Sequence, residues 1–207
     1  PNLLGSDPAD RSFEPLLPQL IRYRKKRCSL HLDDKILTFW NALMIAAMCG
    51  LYLVSGREIY LQAARKAEAF LQKNLCETDT LFVSYRQEKR GGPGFLDDYA
   101  GFIFALLALY RATFNREYLS RAIRLCDKAI SEFGDPAGGF YFYGQAGESL
   151  ILRPKETYDG ALPSGNSLMA YNLVRLSLLT GAEKYRVLAE RQLDFLAAEA
   201  AEAPAGY

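Results

Sequence analysis

The sequence predicts an all-α fold, an arc of helical hairpins forming part of a toroid. Three observations carry this. One pattern recurs three times along the chain, each copy joins an apolar segment to an amphipathic one, and Gly or Asn stands where the two would turn. In the first copy Leu51-Tyr52 precedes Ser55, with Tyr60-Leu61 and Ala64 after it. In the second, Leu109-Tyr110 precedes Thr113, followed by Tyr118-Leu119 and Ala122; in the third, Leu176 precedes Thr180, followed by Tyr185 and Ala189. The hydroxyl residues lie 58 and 67 positions apart, with the Tyr always five and the Ala nine positions later. Such periods mark a repeated supersecondary unit.

Each copy resolves into two helices. Trp40 to Val54, Asp98 to Tyr110 and Ser167 to Leu179 are apolar almost all round, which predicts inner helices buried on every side. The second member of each pair carries one apolar stripe: Tyr60, Leu61, Ala64, Ala67 and Leu71 in the first copy, and Tyr118, Leu119, Ala122, Leu125 and Ala129 in the second. Gly56 and Gly181 are expected to end the first helices, a role Asn115 would share. A seventh helix is expected from Phe13 to about Arg27, regular only after Pro18. The connectors, Glu77 to Leu96 and Phe133 to Pro163, hold alternating apolar runs at Leu81–Tyr85, Phe140–Tyr143 and Leu150–Leu152, which predict short β-hairpins.

Composition narrows the function. Half of the 207 residues are hydrophobic and 24% charged, as in a globular domain. A net charge of +1 gives no reason to expect a nucleic-acid partner, and the single basic run Arg22–Arg27 fits the C-terminal end of a helix. The uncharged run Ile36 to Ser55 approaches membrane-spanning length, but its place in the repeat predicts a packed helix and no membrane partner. Cys28, Cys49, Cys76 and Cys126 form no C-x-x-C pair, and His31 is the only imidazole, so no zinc site is expected. Free cysteines point to a reducing, cytoplasmic setting. No cofactor is implied. The chain reads as one stretch of a single toroid domain over 1–207, and the absence of an initiator Met and of a stop signal after Ala197 leads us to expect a longer parent.

Candidate chemistry comes from positional equivalence. Trp40, Asp98 and Gly165 each lie fifteen residues before the repeat hydroxyl, and Asn41, Tyr99 and Asn166 fourteen. The stretches entering the three apolar helices should therefore converge on one mouth. Carboxylates, amides and aromatic rings gathered there would suit a sugar or other polyol. The acidic candidates are Asp97, Asp98, Asp159 and Asp34; the stacking candidates Trp40, Tyr99 and Tyr158; the orienting candidates Asn41, Asn166 and Arg153. Glycoside cleavage needs two carboxyl groups, one protonated and one ionised, and Asp98 with Asp159 is the first pair, Asp34 the alternate. Each Asp or Asn is equally a natural helix cap. Two adjacent carboxylates exceed what one cap requires. Arg153 and Lys155 are either exposed or reach the mouth to pair with Asp97, Asp98 or an anionic ligand.

Three motifs in order carry a resemblance: Asp33-Asp34-Lys35-Ile36-Leu37 with Trp40-Asn41, Gly94-Phe95-Leu96-Asp97-Asp98-Tyr99-Ala100, and Asp159-Gly160-Ala161 with Pro163-Ser164-Gly165-Asn166-Ser167. From about Arg22 to Tyr207 the chain resembles the helical C-terminal region of the spermatogenesis-associated, thioredoxin-domain-containing protein family. Ala42 departs from that pattern, where the family tends to have Gly. The resemblance implies an (α/α)6 toroid of the six-hairpin glycosidase type, similar also to sugar 2-epimerases, and a thioredoxin-like domain N-terminal to it. It raises the carbohydrate reading without naming a substrate. The competing expectation is an interaction scaffold working with that thioredoxin-like domain, its motif residues serving as caps.

Overall fold

The computed structural model describes residues 14–27, 32–145 and 152–202. The chain divides into two compact units, Pro1–Asp34 and Lys35–Tyr207. In the first, a 3-10 turn, Glu14–Leu16, leads into helix α1, Leu17–Arg27. Pro18 falls in the first turn, where the missing N–H costs nothing. Arg24, Lys25, Lys26 and Arg27 form the last turn, so the basic run is a helix end as expected. His31 and Cys28 lie outside the described residues.

The second unit contains three helical hairpins: α2 (Thr38–Ser55) with α3 (Glu58–Leu75), α4 (Leu96–Thr113) with α5 (Arg116–Phe133), and α6 (Gly165–Thr180) with α7 (Glu183–Glu202). The repeated hydroxyl explains each sharp turn. Ser55, Thr113 and Thr180 donate to the carbonyls of Leu51, Leu109 and Leu176 at 2.6, 2.7 and 2.7 Å. The same oxygens accept from the N–H groups of Arg57, Asn115 and Ala182, two residues on. One hydroxyl thus satisfies an orphan carbonyl of the ending helix and an amide of the turn. The next residue takes the left-handed conformation: Gly56 at φ 66°, Phe114 at φ 54°, Gly181 at φ 68°. Asn115 does not share that role. Its side chain accepts from the Glu117 N–H at 3.0 Å and caps α5 instead.

The inner helices α2, α4 and α6 stand side by side, with α4 in the middle packed against both neighbours; α3, α5 and α7 each back their own partner. Ala100, Phe102, Ile103, Leu106 and Leu109 of α4 are fully buried. The expectation that all three inner helices are buried on every side comes nearest to holding for α4, whose Phe104 and Ala108 remain half-buried. On α2, Trp40, Met44, Leu51, Leu53 and Val54 are exposed, as is Leu178 on α6. Helix α2 is also the one helix among the described residues long and apolar enough to cross a membrane by length and composition. Behind this layer, Arg121 of α5 donates to Glu68 and Gln72 of α3 and lies over the Phe102 ring. Cys49, Cys76 and Cys126 are buried free thiols, and burial pushes Cys126 up to about 12.

The first connector forms the expected hairpins. Strand β2 (Cys76–Glu77) pairs antiparallel with β3 (Thr80–Leu81), and β4 (Ser84–Arg86) with β5 (Lys89–Arg90). Both two-residue turns, Thr78-Asp79 and Gln87-Glu88, have positive φ throughout, the geometry that matches strand twist. Strand β1 (Ile36–Leu37) pairs with β4 and delivers the chain into α2. The second connector holds no strand among its described residues; an isolated bridge joins Gly134 and Phe140, and the Phe142 N–H donates to the Pro154 carbonyl. Of the expected strand Leu150–Leu152, residues 150 and 151 lie outside the described residues.

Candidate active site

The stretches entering α2, α4 and α6 meet at one end of the second unit, and two adjacent carboxylates tie them together. Asp98 is the third residue of α4. One of its oxygens accepts from the Phe95 N–H at 2.9 Å, closing the first turn; the other accepts from the Phe39 N–H of α2 at 3.2 Å. Asp97 reaches the other way and accepts from the Gly165 N–H of α6 at 2.9 Å. A Cβ on Gly165 would stand 2.5 Å from that oxygen and 2.8 Å from the Leu96 side chain, so only glycine admits this approach. Gly101 does the same on the other flank, where a Cβ would meet the Phe39 ring at 2.5 Å.

The two carboxyl groups differ in environment. Asp98 is buried, both oxygens on backbone amides. Burial raises its pKa to about 7, against the opposing pull of the Phe95 and Phe39 amides. Asp97 is half-buried, and its second oxygen has no protein partner among the described residues. Burial raises it to about 6; the Gly165 amide opposes this and the nearby Glu156 charge adds to it. Asp159 is exposed and accepts from the Ser164 N–H at 2.7 Å, leaving its other oxygen open. Consecutive amides at the start of α6 therefore each hold one oxygen of a carboxylate, Asp159 on Ser164 and Asp97 on Gly165. The positive end of α6 favours this gathering of negative charge. Glu156, exposed beside Asp97, belongs to the same acidic group. Only its position three residues before Asp159 could have flagged it in the sequence.

Several expected ligand-facing residues serve the frame. Asn166 is fully buried; it exchanges hydrogen bonds with the backbone of Phe140, donates to the Glu156 carbonyl at 2.8 Å and accepts from Gln192. Tyr99 is buried, its hydroxyl accepting from the Leu81 N–H at 3.1 Å. Asn41 donates to the Leu37 carbonyl within its own first turn. Arg153 does not reach Asp97 or Asp98. It donates to the carbonyls of Tyr143 and Glu132, with its guanidinium 4.2 Å over the Tyr141 ring. Lys155 pairs with Asp135 at 2.8 Å. Trp40 and Tyr158 are well exposed, at 60% and 68%. Asp34 is exposed and belongs to the first unit. No group of three or more His, Cys, Asp or Glu side chains is placed to hold a metal ion among the described residues.

Two concavities lie elsewhere. A groove of about 320 Å³ runs along α2, α4 and α6 past Leu43, Leu53, Phe104 and Tyr171. A small one of about 30 Å³ sits between Gly138 and Gln192. Neither is lined by Asp97, Asp98 or Asp159.

No protein-family model matches the chain. Spermatogenesis-associated protein 20 of Mus musculus is 37% identical over 182 residues, covering 80% of this chain and 22% of that protein. Its Homo sapiens counterpart is 36% identical over 177 residues, with the same shares. The chain thus spans about a fifth of the length of these relatives. Among solved structures, a family 76 alpha-mannanase of Bacteroides thetaiotaomicron superposes with TM-score 0.66 at 19% identity, covering 84% of this chain and 47% of that one. A cellobiose 2-epimerase of Bacillus thermoamylovorans gives 0.64 at 18% identity, with shares of 80% and 45%. An inactive variant of an alpha-1,6-mannanase of Salegentibacter, in complex with alpha-1,6-mannotriose, gives 0.61 at 15% identity, with shares of 88% and 53%. These likenesses show the fold, a partial α/α toroid of the six-hairpin glycosidase type. The chain is thus homologous to a segment of spermatogenesis-associated protein 20.

Proposed function

We propose that the end of the unit where α2, α4 and α6 begin binds a sugar or other polyol, and that Asp97 and Asp159 are its acid pair. The observation that carries this is the pair of consecutive amides, Ser164 and Gly165, each fixing one carboxylate oxygen and leaving the other open. Asp97, raised by burial to about 6, is the more easily protonated of the two and suits the general acid; Asp159 is the partner carboxylate. Asp98 moves from first candidate to positioning residue, because both its oxygens are engaged by backbone. Tyr158, and Trp40 on α2, offer exposed ring faces to the apolar side of a sugar. Two further facts support the reading. The three solved structures named above are carbohydrate-active enzymes, and the inactive mannanase variant bound to mannotriose carries substitutions at two consecutive aspartates.

The test is titration of the chain with alpha-1,6-mannotriose and with cellobiose by calorimetry, alongside Asp97→Asn and Asp159→Asn. Both variants keep an oxygen for their amide, so folding should persist while affinity falls at least about tenfold, the loss expected when a charge-assisted contact worth about 1.5–3 kcal/mol is removed. Undiminished binding in both variants, or no binding of either sugar, ends the proposal.

A second reading has one observation behind it. Asp98 and Tyr99 are spent on backbone groups, and Asn166 on backbone groups and the Gln192 side chain, as a scaffold requires. Here the toroid presents a client to a thioredoxin-like domain, and sugar binding is absent while that domain binds this unit. The buried free thiols fit the reducing, cytoplasmic setting that we also propose.

A further inference from the structure

Residues 152–159 carry Tyr158 and Asp159 to the mouth, and one aromatic ring from the preceding loop holds them there. This segment forms no strand, yet its side chains alternate as in extended chain. Leu152, Glu156 and Tyr158 are exposed, whereas Arg153 and Lys155 are half-buried and Thr157 is buried. Both inward cations lie over the same ring. The Arg153 guanidinium is 4.2 Å and the Lys155 ammonium 5.2 Å from the centre of Tyr141, and Phe195 of α7 covers Lys155 at 5.1 Å. Such attraction strengthens as water is excluded, and the Lys155 side chain is only 21% exposed. Between the two cations, the Pro154 carbonyl accepts from the Phe142 N–H at 2.8 Å. Tyr141 is itself fixed twice. Its N–H donates to the Phe133 carbonyl at the end of α5, and its hydroxyl donates to Asp135 at 2.5 Å.

The two cations occupy unlike seats. Arg153 spreads its fork over the carbonyls of Tyr143 and Glu132, while Lys155 places a point charge between Asp135 and the Gly138 carbonyl. A slip of two residues would keep the in–out alternation but would put each cation in the wrong seat, so the pair fixes the register. Downstream, Asn166 donates to the Glu156 carbonyl at 2.8 Å and the Ser164 N–H donates to Asp159 at 2.7 Å. The segment is thus pinned at one end by Tyr141 and at the other by the start of α6.

We propose that Tyr141 is a positioning residue for the mouth: by holding Arg153 and Lys155 over its ring, it sets the register of residues 152–159 and so where Tyr158 and Asp159 stand. This rests on the sugar reading given above. A polar group displaced by about 1 Å can lose about a hundredfold in its effect, so a ring outside the acid pair can govern it.

The experiment compares Tyr141→Leu, which removes the ring, with Tyr141→Phe, which keeps the ring and loses the bond to Asp135. Two readouts are taken on the whole chain. One is calorimetric affinity for alpha-1,6-mannotriose; the other, which needs no sugar, is the rate of tryptic cleavage between Lys155 and Glu156, followed by mass spectrometry. In Tyr141→Leu the affinity should fall and the cleavage accelerate, each at least about tenfold, the scale of one desolvated cation–π contact. Tyr141→Phe should hold both within about threefold of the unaltered chain, because the ring remains. Equal losses in the two variants would assign the effect to the hydroxyl and overturn the proposal. Faster cleavage with undiminished affinity in Tyr141→Leu would make the ring merely structural and overturn it too. Should Tyr141→Leu not fold, Arg153→Met takes one cation off the ring, keeps Lys155 as the cleavage site and must show the same two changes; undiminished affinity there is equally fatal. No mannotriose binding by the unaltered chain ends the sugar reading and the positioning role together, whereas equal binding by the unaltered chain and Tyr141→Leu ends the positioning role alone.

Discussion

The same three helices present two different surfaces. At their first turns, backbone amides and carboxylates answer one another: Asp98 serves Phe95 and Phe39, Asp97 serves Gly165, Asp159 serves Ser164. Farther along, the helices show bare hydrocarbon and the guanidiniums of Arg111 and Arg175. The first region is held by hydrogen bonds between elements of this chain; the second is exposed apolar surface. Apolar character all round a helix therefore predicts that its faces will be covered, without saying by which chain. Helix α4, with a neighbour on each side, comes nearest to meeting that expectation internally.

Substitutions can break or sharpen this contrast. The largest effect should come from Asp98→Ala, which orphans two backbone amides at the junction of α2 and α4. A loss of about 2–4 kcal/mol is expected, since each buried unsatisfied group costs about 1–3 kcal/mol; urea unfolding measures it, and a loss under about 1 kcal/mol would show that the clasp is dispensable. The pH dependence comes next. Asp97 and Asp98 have folded pKa values raised to about 6 and about 7 from 3.8. Folding therefore takes up protons between those limits, so their contribution is full below about pH 4 and is lost as pH rises through 6 to 7. Asp135 acts oppositely: Lys155 and Tyr141 lower its pKa, so its contribution is lost only in strong acid. Midpoints measured from pH 4.5 to 7.5 should fall less steeply in Asp98→Asn than in the unaltered chain. An identical slope would remove Asp98 from the account.

Phe114→Gly is a smaller change of opposite sign. Phe114 is 77% exposed and holds the left-handed conformation that Gly56 and Gly181 hold in the other hairpins. Relief of roughly 1 kcal/mol is expected, the ordinary penalty for a side chain in that region, and a rise in thermal midpoint reads it. Val54→Lys should do least. It lies among the exposed apolar side chains of α2, so stability of the isolated chain should stay within about 0.5 kcal/mol. A loss near that of Asp98→Ala would mean those side chains are already covered.

Much of this architecture was legible in the sequence because its signals are local. Ser55, Thr113 and Thr180 recur since each bonds the carbonyl four residues back and the amide two residues on, a device contained within seven positions. The convergence of the helix entries followed from the same repeat. The partners of the polar residues were not legible. Asp97 meets Gly165 across 68 positions and Asn166 meets Phe140 across 26, through connectors without periodicity. Arg153 was expected among the acids, but the Tyr141 ring and the carbonyls of Tyr143 and Glu132 captured it first. Phe114 was missed because nothing in a phenylalanine advertises positive φ.

Neighbouring residues on a helix point about 100° apart. The dipeptide Asp97-Asp98 exploits this angle, one side chain grasping the rod to the left and the next the rod to the right. It works as a keystone does in a vault, and a keystone is required only where masonry stands on both sides. At the entry to α2 the Asn41 side chain donates to the Leu37 carbonyl, and at the entry to α6 the Ser164 hydroxyl accepts from the Ser167 N–H, each within its own turn. An arc assembled on this plan can be lengthened at either flank without disturbing its middle stone.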